Sequence, residues 1–321
     1  MTLEQVNGFW TAYKERYELD SDVMIDEVLF DAPEEVEAFF DLIELLAGKR
    51  ILHMTRRAHI YRTEFVKFIL THEFTHLYDF LTCPFEPDRS EMLLLYMQSY
   101  SEYHACRVTL DYLIKDLSRD NRVYVNKNQI PGPFKDISIR RLLEESLLRT
   151  RIAYEQFYVL TMPNMFVNGF RHLMYLMGYI SLLNNDEETL VRTLKVLRID
   201  DGNYLLLYKA LKDEDVDKIL LYTRKCYDGG FIYFLKRYIH DHMDPDLYNE
   251  EELEELTPEN YEEFMEILNE RREQAEEAAS DMEGEPIAAF VSEVISAGRY
   301  PDAKTEMFSA LETAFTGQNI R

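Results

Sequence analysis

One short stretch, Ile69–Asp79 (ILTHEFTHLYD), constrains this chain more than any other. His72 and His76 are four residues apart, so on a helix they lie on the same face and can bind one metal ion. Glu73 follows the first histidine, where a carboxylate acts on a water molecule rather than on the metal itself. Because burying an unpaired carboxylate costs free energy, a glutamate in so apolar a helix indicates a functional role. The stretch predicts a metal-binding helix.

The spacing His-Glu-x-x-His is the one that zinc peptidases use, and it is a specific signal. Upstream, Phe65, Phe68 and Leu70 form an apolar stripe that would bury one face of this helix. The simpler alternative is a pair of core histidines that are hydrogen-bonded within a helix. Since the glutamate is present as well, the pattern favours a zinc site with Glu73 as the general base.

A catalytic zinc site needs three protein ligands and one open coordination position. The third histidine of the longer motif HExxHxxGxxH is excluded, because Thr82 occupies its position. Glu102 is the best remaining candidate, since it lies within the next helix among small residues that let two helices approach closely. Glu86 and Glu91 are competitors, although solvation or helix capping accounts for them. His104 is a further competitor, on a different helix face from Glu102.

Asp79 is three residues beyond His76 and therefore shares its helix face. A carboxylate near a helix C-terminus opposes the helix dipole, so it is unfavourable without a partner. We expect either that Asp79 accepts the second ring N–H of a ligand histidine, or that it is exposed to water. The reaction also needs a hydrogen-bond donor for the developing oxyanion. The candidate donors are Tyr100, Tyr103, His104 and the face that carries His53 and His59.

The remaining pattern predicts the fold class. Only 11 Gly and 10 Pro interrupt the 321 residues, which favours long helices over many short strands. Residues 22–30 are strand-like in part, and the alternation over Arg50–Ile60 predicts a strand or hairpin before the metal helix. Between them, Asp31-Ala-Pro33 predicts the start of a helix that runs to Leu46. We expect an α+β, predominantly α-helical fold, in which a small sheet lies beside the metal helix and a helical C-terminal region follows.

Three regions are expected along the chain. Residues 1–125 form the metallopeptidase core, residues 126–243 a helical domain, and residues 244–321 an acidic loop with C-terminal helices. Turn signals at Asp200-Asp-Gly202 and Asp228-Gly-Gly230 separate helices of the middle region. Asp244–Glu255 is predicted to be a mobile acidic loop. The predicted helices span residues 4–17, 63–81, 88–118, 136–161, 163–184, 186–198, 213–227, 229–241, 257–279, 286–298 and 301–315.

The charge is unevenly distributed. The net charge is −25, and the segment Asp244–Glu285 carries eighteen acidic residues against two arginines. Because nucleic-acid backbones repel a chain with this negative charge, we expect no nucleic-acid partner. The acidic segment 244–285 is either a solvated helix face or a contact for a partner or for autoinhibition.

Compartment and membrane association follow from three further observations. Three widely spaced cysteines form no CxxC pair and indicate no disulfide framework. The first seven residues lack the basic and apolar regions of a signal peptide. The most apolar later stretch, Met162–Leu183, is interrupted by proline, asparagine, arginine and histidine, which is typical of a buried helix rather than a membrane span. We expect a cytoplasmic protein without a membrane partner.

These residues resemble a known family. His72-Glu-Phe-Thr-His76, followed by Glu102-x-x-Ala105 on a second helix, is similar to the zincin metallopeptidases of the gluzincin type. The order of helix, short strands, metal helix and Glu helix resembles the ImmA/IrrE-like metallopeptidases over residues 20–118. The resemblance implies a zinc-dependent peptidase that acts on intracellular proteins. Cys106 stands where that family usually has asparagine, and residues from 136 onward match no family that we can name.

Two functional hypotheses compete. The first is a zinc metallopeptidase that hydrolyses peptide bonds of an intracellular protein or peptide. The second is a non-catalytic protein-binding or regulatory module on a zincin scaffold. Glu73 favours the first, because a degenerate site commonly loses its base. A third hypothesis, an acidic mimic of nucleic acid, is disfavoured because the acidic residues cluster at one end of the chain.

Overall fold

The structure is a computed structural model, which describes residues 1–33, 36–61, 63–85, 90–115, 139–160, 163–199, 202–242, 245–257 and 259–280. Glu86 and the predicted helices 286–298 and 301–315 lie outside the described residues. The described part of the protein is mostly helical, with one small mixed sheet. The α+β, predominantly helical class is therefore confirmed.

The described residues of the N-terminal part form three strands and five α-helices. The strands are β1 (Glu27–Leu29), β2 (Ala38–Phe40) and β3 (Ile51–Met54). The helices are α1 (Leu3–Arg16), α2 (Leu42–Leu46), α3 (Thr63–Leu81), α4 (Ser90–Tyr96) and α5 (Glu102–Lys115). A 3₁₀ helix (Arg56–Ile60) precedes α3, and a π-helical turn (Met97–Ser101) joins α4 to α5.

The sheet has the strand order β1-β3-β2, with β1 parallel and β2 antiparallel to the central β3. Leu52 and Met54 of β3 are fully buried, as the alternating pattern predicts. The predicted helix from Asp31 to Leu46 is wrong: the described part of this segment holds β2 and the short helix α2. The side chains of Ala38 and Phe40 are buried in the same apolar core as residues of α3, while Phe39 stacks on His53 of the neighbouring strand. This alternation is that of a strand.

Helix α3 packs against α1 and the sheet in a shared apolar core. Trp10, Phe74 and Leu77 are fully or almost fully buried in it. Tyr13 of α1 also bonds Thr75 of α3, with 2.9 Å between the two hydroxyl oxygens. One side of α3 is therefore fixed by the N-terminal core, and the histidine side is left to face α5.

The C-terminal part is helical. Its helices are α6 (Ile139–Leu160), α7 (Pro163–Ile180), α8 (Asp186–Leu197), α9 (Gly202–Asp213), α10 (Val216–His242), α11 (Glu250–Glu254) and α12 (Tyr261–Ser280). Helix α7 lies at the centre of this part, with Phe170, Leu173 and Met177 fully buried. Among the described helices, none combines the length and hydropathy that spanning a lipid bilayer requires.

Three predictions in this part are wrong. Helix α10 runs without a break through Asp228-Gly-Gly230, where Gly230 accommodates the ring of Phe166. Helix α9 occupies residues for which we predicted no helix. The acidic segment predicted to be mobile holds a 3₁₀ turn and α11, because Leu253 and Leu256 anchor it in the helical core.

Gly178 sets the distance between α5 and α7. A Cβ atom at this position would lie 2.5 Å from the carbonyl oxygen of Tyr103 and 2.9 Å from the Cβ of Cys106. Only glycine permits this close approach. The position of α7 relative to α5 therefore depends on a single small residue.

We expect Gly178→Ala to lower the free energy of unfolding by about 1–3 kcal/mol, because the added methyl group must push the two helices apart. Gly8→Ala is the matched control: it lies inside α1 with nothing within 4 Å of the new Cβ. That change should raise the free energy by about 0.5–1 kcal/mol through helix propensity. Urea titrations of both variants measure the difference, and equal effects would show that the α5–α7 contact is not tight.

Candidate metal centre

The predicted ligands come together where α3 meets α5. His72 and His76 project from α3, and Glu102 opens α5 directly after the π-helical turn. Such turns insert one extra residue and often occur at functional sites. The turn places Ser101 and Glu102 opposite the histidines, so that the hydroxyl oxygen of Ser101 lies 2.8 Å from Nδ1 of His76.

The distances between the ligand atoms fit a zinc ion. Nε2 of His72 lies 3.2 Å from Nε2 of His76, which lies 3.3 Å from Oε2 of Glu102. The remaining separation, from His72 to Glu102, is 3.9 Å. Two ligands of a tetrahedral zinc are about 3.3 Å apart, given bond lengths near 2.0–2.1 Å. The three side chains therefore already surround a volume of the right size for the ion.

Glu102 shows a second sign of a missing partner. Its side chain is only 4% exposed, and its Oε2 atom has no hydrogen-bond partner among the described residues. A buried carboxylate oxygen without a partner costs free energy. Because Oε2 points toward the two histidines, a cation held by all three groups would remove this cost.

Hydrogen bonding and burial prepare the histidines to bind a metal. Ser101 bonds Nδ1 of His76, which leaves Nε2 directed at the cluster. Burial and the neighbouring His76 lower the pKa of His72 to about 3, so its ring is neutral at neutral pH. Burial also acts to lower the pKa of His76, but Glu102 outweighs it and the pKa of His76 is raised.

Glu73 lies beside the cluster. Its carboxylate is buried and forms no hydrogen bond to another described residue. Burial raises the pKa of Glu73 to about 7, which suits a group that must accept and release a proton near neutral pH. A carboxylate with this pKa, in the lining of the same cavity as His76 and Glu102, is compatible with a general base.

Arg171 of α7 completes the site and was missed from the sequence. Its Nε atom lies 2.8 Å from Oε1 of Glu102 and donates a 2.8 Å hydrogen bond to the hydroxyl oxygen of Tyr175. Although burial opposes ionisation, Arg171 and His76 hold the pKa of Glu102 well below its ordinary range. The one available signal was a charged residue inside the most apolar stretch of the chain.

Asp79 has a different partner from the one predicted. It is 1% exposed, so it is not a surface residue. Its Oδ1 atom lies 2.8 Å from Nδ1 of His104 rather than from a ligand histidine. The reason is that Ser101 already bonds His76, while His104 of α5 faces the turn of α3 that carries Asp79. The Asp79–His104 bond ties the two helices together next to the cluster.

The predicted oxyanion donors Tyr100, in the π-helical turn, and Tyr103 and His104, in α5, do not line the cavities at the cluster. Tyr103 is fully buried against Tyr208 of the helical core. Tyr100 lies between Tyr96 and His104, with ring centroids 5.0 and 5.2 Å away. Among the described residues that line the two cavities at the site, none of Tyr100, Tyr103 and His104 occurs.

The competing third ligands are also accounted for. Glu91 pairs with Arg224 of α10 at the protein surface, far along α4 from the cluster. His104 is bonded to Asp79. Within the described chain, His72, His76 and Glu102 form the only group of three or more such side chains that could hold a metal ion.

Two cavities meet at Glu73. The apolar pocket, of about 80 Å³, adjoins His76 and is walled by Ala38, Phe40, Leu42, Leu45 and Met97. The wide groove, of about 720 Å³, adjoins His72 and runs between α3, α6 and α7. Arg171 and Glu73 line both cavities. The site thus draws on residues from both sides of the domain boundary predicted at residue 125.

Comparison of the chain with models of protein families, with curated proteins and with solved structures finds no match. The function must therefore be argued from the chemistry of the site.

The ion pair between Arg171 and Glu102 should couple their contributions to stability. We expect Arg171→Met to lower the free energy of unfolding of the metal-free protein by about 3–5 kcal/mol, because it leaves Glu102 buried without its cation. The double variant with Glu102→Gln should recover a large part of that loss, since no buried charge then remains. Urea titrations of the wild type, the two single variants and the double variant give the free energies of unfolding for a double-mutant cycle. If the changes in free energy of the two single variants add up to that of the double variant, the two residues are not coupled.

Proposed function

We propose that this protein is a zinc-dependent metallopeptidase. The observation that carries the proposal is the buried Glu102 oxygen without a hydrogen bond, which faces two histidine nitrogens at ligand spacing. Three protein ligands and an adjacent general base are the composition of a catalytic zinc site rather than a structural one. The helix order and the small sheet beside α3 support a zincin-like core of the gluzincin type, similar to the ImmA/IrrE-like enzymes.

His72, His76 and Glu102 would hold the ion. When bound, zinc supplies a Lewis acid that acidifies water and polarises a carbonyl group. Arg171 keeps Glu102 ionised and fixes the orientation of its carboxylate. Ser101 fixes the ring of His76. Removal of such supporting groups typically weakens metal binding 10–100-fold.

Glu73 moves the protons. Its carboxylate accepts a proton from the attacking water and delivers it to the leaving nitrogen. It lies between the two cavities, where the bond to be cut must lie if the peptide occupies both. The proposed substrate is a protein or peptide of the cytoplasm, since the described cysteines form no disulfide bond.

Tyr175 is the proposed donor to the developing oxyanion. Its hydroxyl oxygen accepts the hydrogen bond from Arg171, so its own proton remains available to donate. Burial raises the pKa of Tyr175 well above its ordinary value, which keeps that proton in place. The ring lies edge-on to His72, with 5.9 Å between centroids, and lines the wide groove.

The alternative is a non-catalytic binding module on the same scaffold. It would need the zinc site but neither a proton acceptor nor a hydroxyl donor in the cleft. Among the described residues, none forms a hydrogen bond with the buried carboxylate of Glu73, so a purely structural role does not explain its burial. Catalysis is therefore the better explanation of the site.

Metal analysis and a peptide-hydrolysis assay test the ligand set. Wild-type protein should bind one zinc ion per chain, and His72→Ala and Glu102→Ala should lose it. Glu73→Gln should keep the zinc but lower kcat by a factor of about 10² or more, because only the base is removed. Glu91→Ala is the matched control, a surface glutamate that should leave zinc binding intact. Wild-type protein without stoichiometric zinc would overturn the proposal.

Tyr175→Phe separates transition-state stabilisation from binding. We expect kcat to fall about 10²–10³-fold, the usual effect of removing one oxyanion donor. KM and zinc content should change little, because the ring and its packing are kept. Tyr100→Phe, on a tyrosine that lines neither cavity, is the control. Equal kcat values for Tyr175→Phe and the wild type would exclude this role.

A further inference from the structure

The cleft at Glu73 is narrow at one end and wide at the other. The apolar pocket is about one ninth the size of the wide groove, at 80 against 720 Å³. Its walls come from β2, α2 and the π-helical turn, and apart from the groups of the metal centre itself none of them is charged. One side chain fits this end, whereas a chain of several residues fits the other.

Arg171 lies where the two cavities meet, and the two terminal amino groups of its guanidinium are available to a ligand. The Nε atom serves Glu102 and Tyr175. Neither terminal amino group donates a hydrogen bond to another described residue, although the residue lines both cavities. A guanidinium edge with two parallel N–H donors matches the two oxygens of a carboxylate.

The charges near Arg171 permit an anion to bind. Glu102 offsets the charge of Arg171, and a divalent ion would more than offset Glu73. The groove is also lined by Glu37 and Arg149, whose charges are opposite, and by His172. Burial and Arg171 lower the pKa of His172 to about 4, so it adds no charge at neutral pH. The centre of the cleft then carries a net positive charge when zinc is bound, although the protein as a whole is acidic.

Building on the proposed function, we propose that this enzyme is a carboxypeptidase that releases an uncharged, apolar residue from the C-terminus of a peptide. The terminal carboxylate binds the free edge of Arg171, the last side chain occupies the apolar pocket, and the preceding residues lie in the wide groove. An internal peptide bond fits poorly, because the small pocket has room for one side chain but not for a continuing chain.

The reaction balances without any further reactant. The oxygen of one water molecule bonds to the carbonyl carbon of the penultimate residue, and the C–N bond to the last residue breaks. Glu73 transfers a water proton to the departing nitrogen. The products are a peptide shortened by one residue, with a new carboxylate, and one free amino acid.

Matched peptides test the proposal directly. N-acetylated hexapeptides that end in leucine are supplied with either a free carboxylate or a C-terminal amide, and the products are identified by mass spectrometry. We expect removal of the last residue only, with kcat/KM at least about 100-fold higher for the acid than for the amide. Peptides that end in aspartate or lysine should be poor substrates, because the apolar pocket leaves a charge without a partner. Internal cleavage, or equal rates for acid and amide, would overturn the proposal.

A binding measurement separates this inference from the proposed function. The hexapeptide that ends in leucine is labelled with a fluorophore and supplied as the acid (the leucine acid) or as the C-terminal amide. Zinc-loaded Glu73→Gln protein should bind the leucine acid at least about 10-fold more tightly than the amide. If no peptide is hydrolysed by zinc-loaded wild-type protein, the peptidase proposal fails, and with it the carboxypeptidase activity. In that case, tighter binding of the acid would still assign a carboxylate-binding site to Arg171. Equal binding of acid and amide would exclude that site as well.

The pocket is tested on α2. Leu45→Lys places a charge in the apolar pocket and should weaken binding of the leucine acid at least 10-fold. Ile43→Lys is the matched control on the same short helix, at a side chain that is 61% exposed, and should leave binding within about twofold. If both variants bind like the parent protein, the last side chain does not occupy this pocket. The comparison of acid with amide is made in the Glu73→Gln protein without these substitutions, so it stands even if Leu45→Lys or Ile43→Lys fails to fold.

Discussion

The site depends on one buried carboxylate. Glu102 is almost completely removed from water, and such a charge persists only if cations or hydrogen-bond donors surround it. Arg171 satisfies one of its oxygens, and the two histidines face the other. Because Arg171 comes from α7 and the histidines from α3, this charge links the N-terminal core to the helical core. Stability and the proposed metal binding therefore depend on the same few groups.

Helix α3 serves both cores because its faces differ. Leu70, Phe74 and Leu77 bury into the N-terminal core with α1 and the sheet. The opposite face carries the histidines toward α5 and α7, where polar contacts replace apolar packing. Two hydrogen bonds, one between Nδ1 of His76 and the hydroxyl of Ser101 and one between His104 and Asp79, hold α5 against this face on either side of Glu102. The ligand distances are set by these contacts as much as by the motif.

Local patterns predicted the parts of the site that depend on local chemistry. The period of 3.6 residues placed His72 and His76 on one helix, and small neighbours indicated that Glu102 would approach it. The partner of Asp79 could not be predicted, because it depends on which residue of α5 faces that turn. Arg171 and Tyr175 lie some seventy residues after Glu102, and no spacing rule connects them. The strand β2 was missed because Asp31 and Pro33 suggested a helix start, whereas burial of Ala38 and Phe40 against α3 decides the conformation.

An acidic protein can still attract a carboxylate to its cleft, because the two charges act over different ranges. The acidic helix α12 and the other surface carboxylates are screened beyond about 8 Å at physiological ionic strength. Arg171 lies in a site of low dielectric, where screening is weak and a hydrogen-bonded charge pair is strong. The surface charge therefore affects the rate at which an anionic peptide approaches, while the affinity is set within the cleft. Salt should then increase the association rate of such a peptide, whereas the preference of acid over amide should persist.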